Sequence, residues 1–220
     1  MEKLWSAISQ YVYMIPVLLS LPFHEYAHAY VSYRLGDPTA KDQGRLTLNP
    51  LKHLDPLGTL LMFIARIGWA KPVPINPMYY KNRKKGTLLV SLAGPVSNLI
   101  LSFIFSIFFA ILNLYLVNNP VTGLTVALAG IFYLFITVNV YLAIFNLIPV
   151  PPLDGSKILG GLLPDETYWS FLRHERTIGM IFFIAIIFFS RQFALIMNVL
   201  ATPVIRFFMT TSFSIVNLLS

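Results

Sequence analysis

Long apolar stretches free of charge alternate with short polar, basic ones along this chain, and their lengths suit a bilayer. No charged side chain occurs from Leu4 to Phe23, and apolar character resumes after residue 28. This predicts a first helical span over about residues 8–34, long enough at about 1.5 Å per residue to cross a hydrocarbon core of about 30 Å. Pro16 and Pro22 loosen its backbone just before His24, and Gly36-Asp37-Pro38 ends it. Residues 37–85 are rich in Gly, Pro, Asn and basic side chains, and their apolar run Leu57–Ala70 is broken by Arg66 and Gly68. Such a run is too short to span, so short strands or a re-entrant or interfacial loop are expected, with Trp69 at the water–lipid boundary. From Gly86 to Leu153 there is no Asp, Glu, Lys, Arg or His. Asn118-Asn119-Pro120 divides this stretch into spans at about 87–117 and 122–148. A polar loop, 149–177, precedes a fourth span at about 177–200. Pro203 is expected to break that helix, leaving 204–219 as an interfacial helix anchored by Arg206 or as an extra span.

Composition agrees with this pattern. Of 220 residues, 56% are hydrophobic and only 11% charged, with a mean hydropathy of +0.70; soluble domains carry about 25% charged residues. The expected fold is an all-α membrane protein: one polytopic helical bundle over 1–220, with a three-span core and an irregular or β re-entrant loop after the first span. Ten of the sixteen Lys and Arg residues lie between Arg34 and Lys85. The net charge of +7 is therefore read as cytoplasmic loop charge and not as a nucleic-acid footprint. That places the N-terminus outside, 34–85 inside, 118–121 outside and 149–177 inside, in the cell membrane. Glu2-Lys3 is a weak charged start with no small-x-small site after the apolar run, so no cleaved signal peptide is expected. The absence of cysteine excludes disulfides and thiolate metal sites. No repeat or low-complexity segment is seen.

The chemistry centres on His24-Glu25-Tyr26-Ala27-His28. Two histidines four apart on a helix share one face and can grip one metal ion, and the glutamate between them can act as general base toward a metal-activated water. Ionisable groups at such depth mark function by default. Catalytic zinc takes three protein ligands, so a third must come from elsewhere. Asp154 is the best candidate, in Asn146-Leu147-Ile148-Pro149-Val150-Pro151-Pro152-Leu153-Asp154-Gly155. The prolines deny that stretch regular helix, and Gly155 permits close approach of the backbone. The Asn146 amide can donate to a substrate carbonyl.

Paired with the later Asn-x-x-Pro-x-x-x-x-Asp-Gly element, the histidine motif resembles the site-2 protease family of intramembrane zinc metalloproteases, in its short prokaryotic form. Gly44-Arg45-Leu46-Thr47-Leu48-Asn49-Pro50, with His53, Asp55-Pro56 and Gly58, resembles the family's loop after the first motif. Ala93-Gly94-Pro95-Val96-Ser97-Asn98 resembles its middle span. The likeness covers about residues 15–160. It implies one zinc ion per chain held by His24, His28 and Asp154, Glu25 as general base, Asn98 beside the site with Asn146 as substrate-binding residues, and a transmembrane protein as substrate. Many members place another span before the first motif or carry a PDZ-like insertion, and neither is seen here.

The rival reading is a non-proteolytic membrane metal-binding protein, a divalent metal carrier or sensor. The absence of ionisable side chains from 86–153 argues against a metal path across the membrane. A catalytically dead scaffold is disfavoured by the intact Glu25. His53 and Asp55 are expected to fix the loop, and His174 to be an ordinary loop residue.

Overall fold

The computed structural model describes residues 14–65, 70–164, 167 and 173–219. Its helices are α1 (Met14–Arg34), α2 (Thr39–Asp42), α3 (Pro50–His53), α4 (Pro56–Ala65), α5 (Arg83–Asn118), α6 (Gly123–Leu147), α7 (Asp154–Leu162), α8 (Glu175–Phe188) and α9 (Ser190–Leu219). The first six residues expected in span one, and Arg66, Gly68 and Trp69, lie outside the described residues.

Two ridges of side chains spaced four apart join α1 to its neighbour α5. On α1 the buried positions include Pro16, Ser20, His24, His28 and Ser32. On α5 they include Gly86, Val90, Gly94, Asn98, Ser102, Ser106 and Ala110. Residues four apart line one ridge of a helix, and ridges of small residues let two backbones approach closely without water to drive them together. α1 packs on α5 and α6, and α9 closes the far side against α5 and α6. There the Ser106 and Ser212 hydroxyls bond at 2.6 Å, and Phe105 stacks on Phe135 with centroids 4.1 Å apart.

The bundle buries many polar side chains and exposes many large apolar ones. Ser20, Ser91, Asn98, Ser102, Ser106, Asn139 and Ser212 are buried, while Ile100, Ile104, Phe108, Leu124, Val126, Val199 and Phe207 are exposed. Lipid tails reward that arrangement and water would not. Among the described residues, three helices, α5, α6 and α9, are long and apolar enough to cross a membrane.

Of the alternatives expected for the loop after α1, strands are not found among the described residues, and the break expected at Pro203 is corrected. The loop after α1 holds no strand among the described residues; it folds as short helices, with one isolated bridge between Leu54 and Ala70. Its Asn and Asp residues cap those turns instead: the Asn49 side chain accepts from Leu51 N–H at 3.0 Å, and Asp55 from Gly58 N–H at 2.8 Å. Pro203 does not end a helix. The chain breaks at Phe189, between α8 and α9, and α9 runs on through Pro203 to Leu219. In apolar surroundings an opened helix would leave several backbone groups unbonded, a larger loss than the single hydrogen bond that proline removes.

The stretch Lys71–Asn76 runs back along α1, and Ala29, Ala40 and Val73 form a small core there. Asp37 pins the arrangement. Its carboxylate accepts from the Ser32 hydroxyl at 2.7 Å, Thr39 N–H at 3.0 Å and Asn76 N–H at 2.8 Å. Burial pushes its pKa up, but these donors outweigh it and hold the group below its ordinary value. Its stabilisation is therefore fully present above the ordinary carboxylate pKa and lost as pH falls through the depressed folded value. Asp37→Ala should cost on the order of 3 kcal/mol, because several buried donors lose their acceptor together. Thermal unfolding of the purified chain in detergent reads this, and an unchanged midpoint would refute the pinning role.

Candidate metal centre

One turn of α1 separates His24 from His28, and their rings meet edge to face with centroids 4.7 Å apart. The third member arrives from 126 residues downstream. After α6 the prolines at 149, 151 and 152 keep the chain out of helix. A Cβ on Gly155 would lie 2.3 Å from the Leu147 carbonyl oxygen. Only glycine lets the chain fold back that tightly and start α7 with Asp154 facing the histidines. Asp154 Oδ2 lies 3.1 Å from each imidazole Nε2, and the two Nε2 atoms are 3.0 Å apart. All three residues are buried.

Hydrogen bonds on the far side of each ring set its tautomer. His24 Nδ1 lies 2.6 Å from Asn98 Oδ1, and His28 Nδ1 lies 2.6 Å from the Val90 carbonyl oxygen. Both oxygens only accept, so both Nδ1 atoms carry the proton. Each Nε2 then presents a bare lone pair, and the carboxylate presents another. Three electron-rich atoms converging in a buried place call for a cation among them. Ligands about 2.0–2.1 Å from a tetrahedral zinc ion stand roughly 3.3 Å apart, close to the 3.0–3.1 Å found here. The His₂Asp donor set, with each histidine held by an outer acceptor, fits such an ion. Gly94 makes room for it: a Cβ there would lie 2.4 Å from His28 Nε2 and 2.5 Å from His24 Cε1.

Glu25 follows His24 on α1 and is half-buried. Its Oε2 accepts the Val73 N–H at 2.9 Å, so the returning loop holds the carboxylate. Arg45 is close enough to feel it. Burial lowers the guanidinium pKa, and the negative Glu25 offsets part of that, while Arg45 Nη2 donates to the Lys71 carbonyl at 2.6 Å.

The structure thus gathers His24, His28 and Asp154, with Glu25 adjoining, and sets the two asparagines in different surroundings. Asn98 is fully buried and both ends of its amide are engaged, by His24 and by Asn139. It is a holder of His24, not a free contact for substrate. Asn146 lies at the end of α6, half-buried, with its amide donating to the Leu142 carbonyl at 3.0 Å. His53 donates to the Thr47 carbonyl at 2.7 Å and Asp55 caps α4, so both fix the loop. His174 is exposed and precedes α8. Sequence reasoning missed the Val90 carbonyl, Gly94 as a spacer, Val73 and Asn139. The small residues at every fourth position of 86–110 were a readable signal for Gly94; a backbone carbonyl or amide leaves none.

The profile described as Peptidase family M50 matches residues 12–190. A Bacillus subtilis protein provisionally named zinc metalloprotease YwhC is 47% identical over 151 residues, covering 69% of this chain and 68% of that protein. Proteins provisionally named zinc metalloprotease Rip2 are 37% identical in Mycolicibacterium smegmatis and 33% in Mycobacterium tuberculosis. Each of those alignments covers 68% of this chain, which spans only 56% of the mycobacterial relatives' length. No solved structure shows a significant match.

Gly94→Ala should drive the imidazoles apart and weaken divalent-metal binding at least about tenfold. Gly130→Ala, where an added Cβ meets nothing within 4 Å, should leave binding unchanged. Metal titration of both variants checks this; equal affinities would remove Gly94 from the site.

Proposed function

The chain belongs to peptidase family M50, the site-2 protease family, and from that premise we propose a zinc-dependent endopeptidase that hydrolyses a peptide bond in or near a transmembrane segment of another membrane protein. The observation that carries this reading is the meeting of His24 Nε2, His28 Nε2 and Asp154 Oδ2 within hydrogen-bonding distance, with Glu25 adjoining on the same helix. The relatives' names carry zinc and proteolysis, and the donor set here suits one zinc ion per chain.

When bound, zinc lowers the pKa of a water molecule and polarises a carbonyl group. The rest falls to this chain's own residues. Glu25 takes the proton from the attacking water and passes it to the amine that leaves. The Val73 N–H keeps that carboxylate aimed by holding one of its oxygens. Asn146 offers its amide to the substrate carbonyl, exchanging its bond to Leu142 for one that strengthens as charge develops. Asn98 acts through His24, holding the ring.

The bundle lies in the bilayer through α5, α6 and α9. The basic loop 34–85 supports a cytoplasmic opening for the site and an outside N-terminus. A cell-membrane setting and a membrane-protein substrate follow from the same reading. α5 and α6 present no Asp, Glu, Lys, Arg or His between Gly86 and Leu147, which disfavours a metal carrier.

Glu25→Gln should lower cleavage of a reconstituted transmembrane substrate by about 10²–10⁴-fold while one zinc per chain stays bound. Product analysis and metal content, measured on the same sample, decide it. Cleavage at the wild-type rate would remove Glu25 as the base and sink the mechanism.

A further inference from the structure

An amide can offer either an oxygen or an NH₂ group, and which one Asn98 turns to His24 decides the histidine's tautomer. If NH₂ faced the ring, Nδ1 would have to accept and the proton would move to Nε2, closing the metal position. Asn98 is fully buried, so water cannot compensate for a wrong turn. Its orientation is dictated from one residue further on. Asn98 Nδ2 donates to Asn139 Oδ1 at 2.8 Å. Asn139, also fully buried, has its own direction fixed: its Nδ2 donates to the Phe135 carbonyl at 2.8 Å and to the Ser20 hydroxyl oxygen at 2.9 Å. A backbone carbonyl only accepts. Turned over, Asn139 would set oxygen against oxygen at Phe135 and NH₂ against NH₂ at Asn98.

The polarity therefore runs one way, from the Phe135 carbonyl through Asn139 and Asn98 to His24 Nδ1–H, and ends on a bare Nε2. We propose that Asn139 is a positioning residue of the metal centre: through Asn98 it selects the His24 tautomer able to bind the ion. This rests on the metal reading above and deepens it. The relay crosses three helices, α6 for Phe135 and Asn139, α5 for Asn98, and α1 for Ser20 and His24. A rotation of α6 against α1 would thus reach the ligand without touching it.

A plain alternative is that Asn139 is polar glue between helices. Two substitutions of nearly equal size separate the roles. Asn139→Leu cannot accept from Asn98, so the director is lost. Asn139→Asp, as a neutral acid, donates its O–H to the Phe135 carbonyl and still accepts from Asn98, so the direction survives. Cobalt(II) affinity of the full chain in detergent is measured by chelator competition, with the visible cobalt band reporting the ligand field. Asn139→Leu should bind about 10–100-fold more weakly than wild type, with an altered band, and Asn139→Asp should stay within about threefold. In metal-free protein, ¹⁵N chemical shifts should show His24 with its proton on Nδ1 in wild type and Asn139→Asp, and moved toward Nε2 in Asn139→Leu. If Asn139→Leu fails to fold, Asn139→Ala carries the same comparison. Equal affinity and an unchanged His24 tautomer in the leucine or alanine variant overturn the proposal. Wild-type protein that takes up no cobalt overturns the metal reading instead. The nitrogen shifts, which need no metal, tell the two failures apart.

Discussion

Three lone pairs pressed to within 3.0–3.1 Å of one another under a lipid-facing shell are the constraint around which the molecule is arranged. No neutral hydrogen-bond pattern satisfies all three, because the proton of each imidazole is already committed on the opposite nitrogen. A divalent cation would resolve the conflict, and a buried carboxylate that is costly alone would become favourable beside it. The elements around the site serve that convergence. Gly94 removes the bulk that would part the rings, Gly155 lets Asp154 return under the end of α6, and Val90 and Asn98 hold the ring protons away from the centre.

The same spacing builds the fold and the site. His24 and His28 belong to the ridge that runs from Pro16 to Ser32 on α1, and Gly94 and Asn98 to the facing ridge on α5. The histidine pair is therefore not added to a finished scaffold, since it occupies two positions of the helix contact itself. Ser20, Ser32 and Ser102 lie on the same ridges, which makes the interior hospitable to polar chemistry, while Ile100, Ile104 and Phe108 are exposed. A chain with so few charges can thus keep an acid, a base and two imidazoles at depth.

Much of this was legible in the residue order. The charge-free run 86–153 and its Asn118-Asn119-Pro120 interruption correspond to α5 and α6, and the His-x-x-x-His spacing with Asp154 corresponds to the buried triad. What was not legible is instructive. Pro203 reads as a break because proline is a poor helix residue in water, but the surroundings of α9 reverse that rule. Residues 37–85 read as strands or irregular loop because they are punctuated by Gly, Pro and Asn, and those residues turned out to cap short helices. Asn98 was placed beside the site as a substrate contact, and the structure shows both ends of its amide engaged by His24 and Asn139; a sequence does not tell which end of an amide is already spoken for. To the site Val73 contributes its backbone N–H, which any residue but proline possesses.

The origin of the donors has an energetic consequence. α1 supplies two, α7 supplies the third, and the space between them belongs to α5, so no single helix and no adjacent pair holds the centre. A ligand set of this kind does not exist in the unfolded chain, and whatever free energy the ion contributes goes into keeping α7 against α1. The tether from α6 to α7 is the proline-rich turn 149–152, too short to let Asp154 drift far and too irregular to act as a helix. Packing of α6 against α5 therefore brings the carboxylate near, and a cation held there would, by answering the three lone pairs, fix it in place.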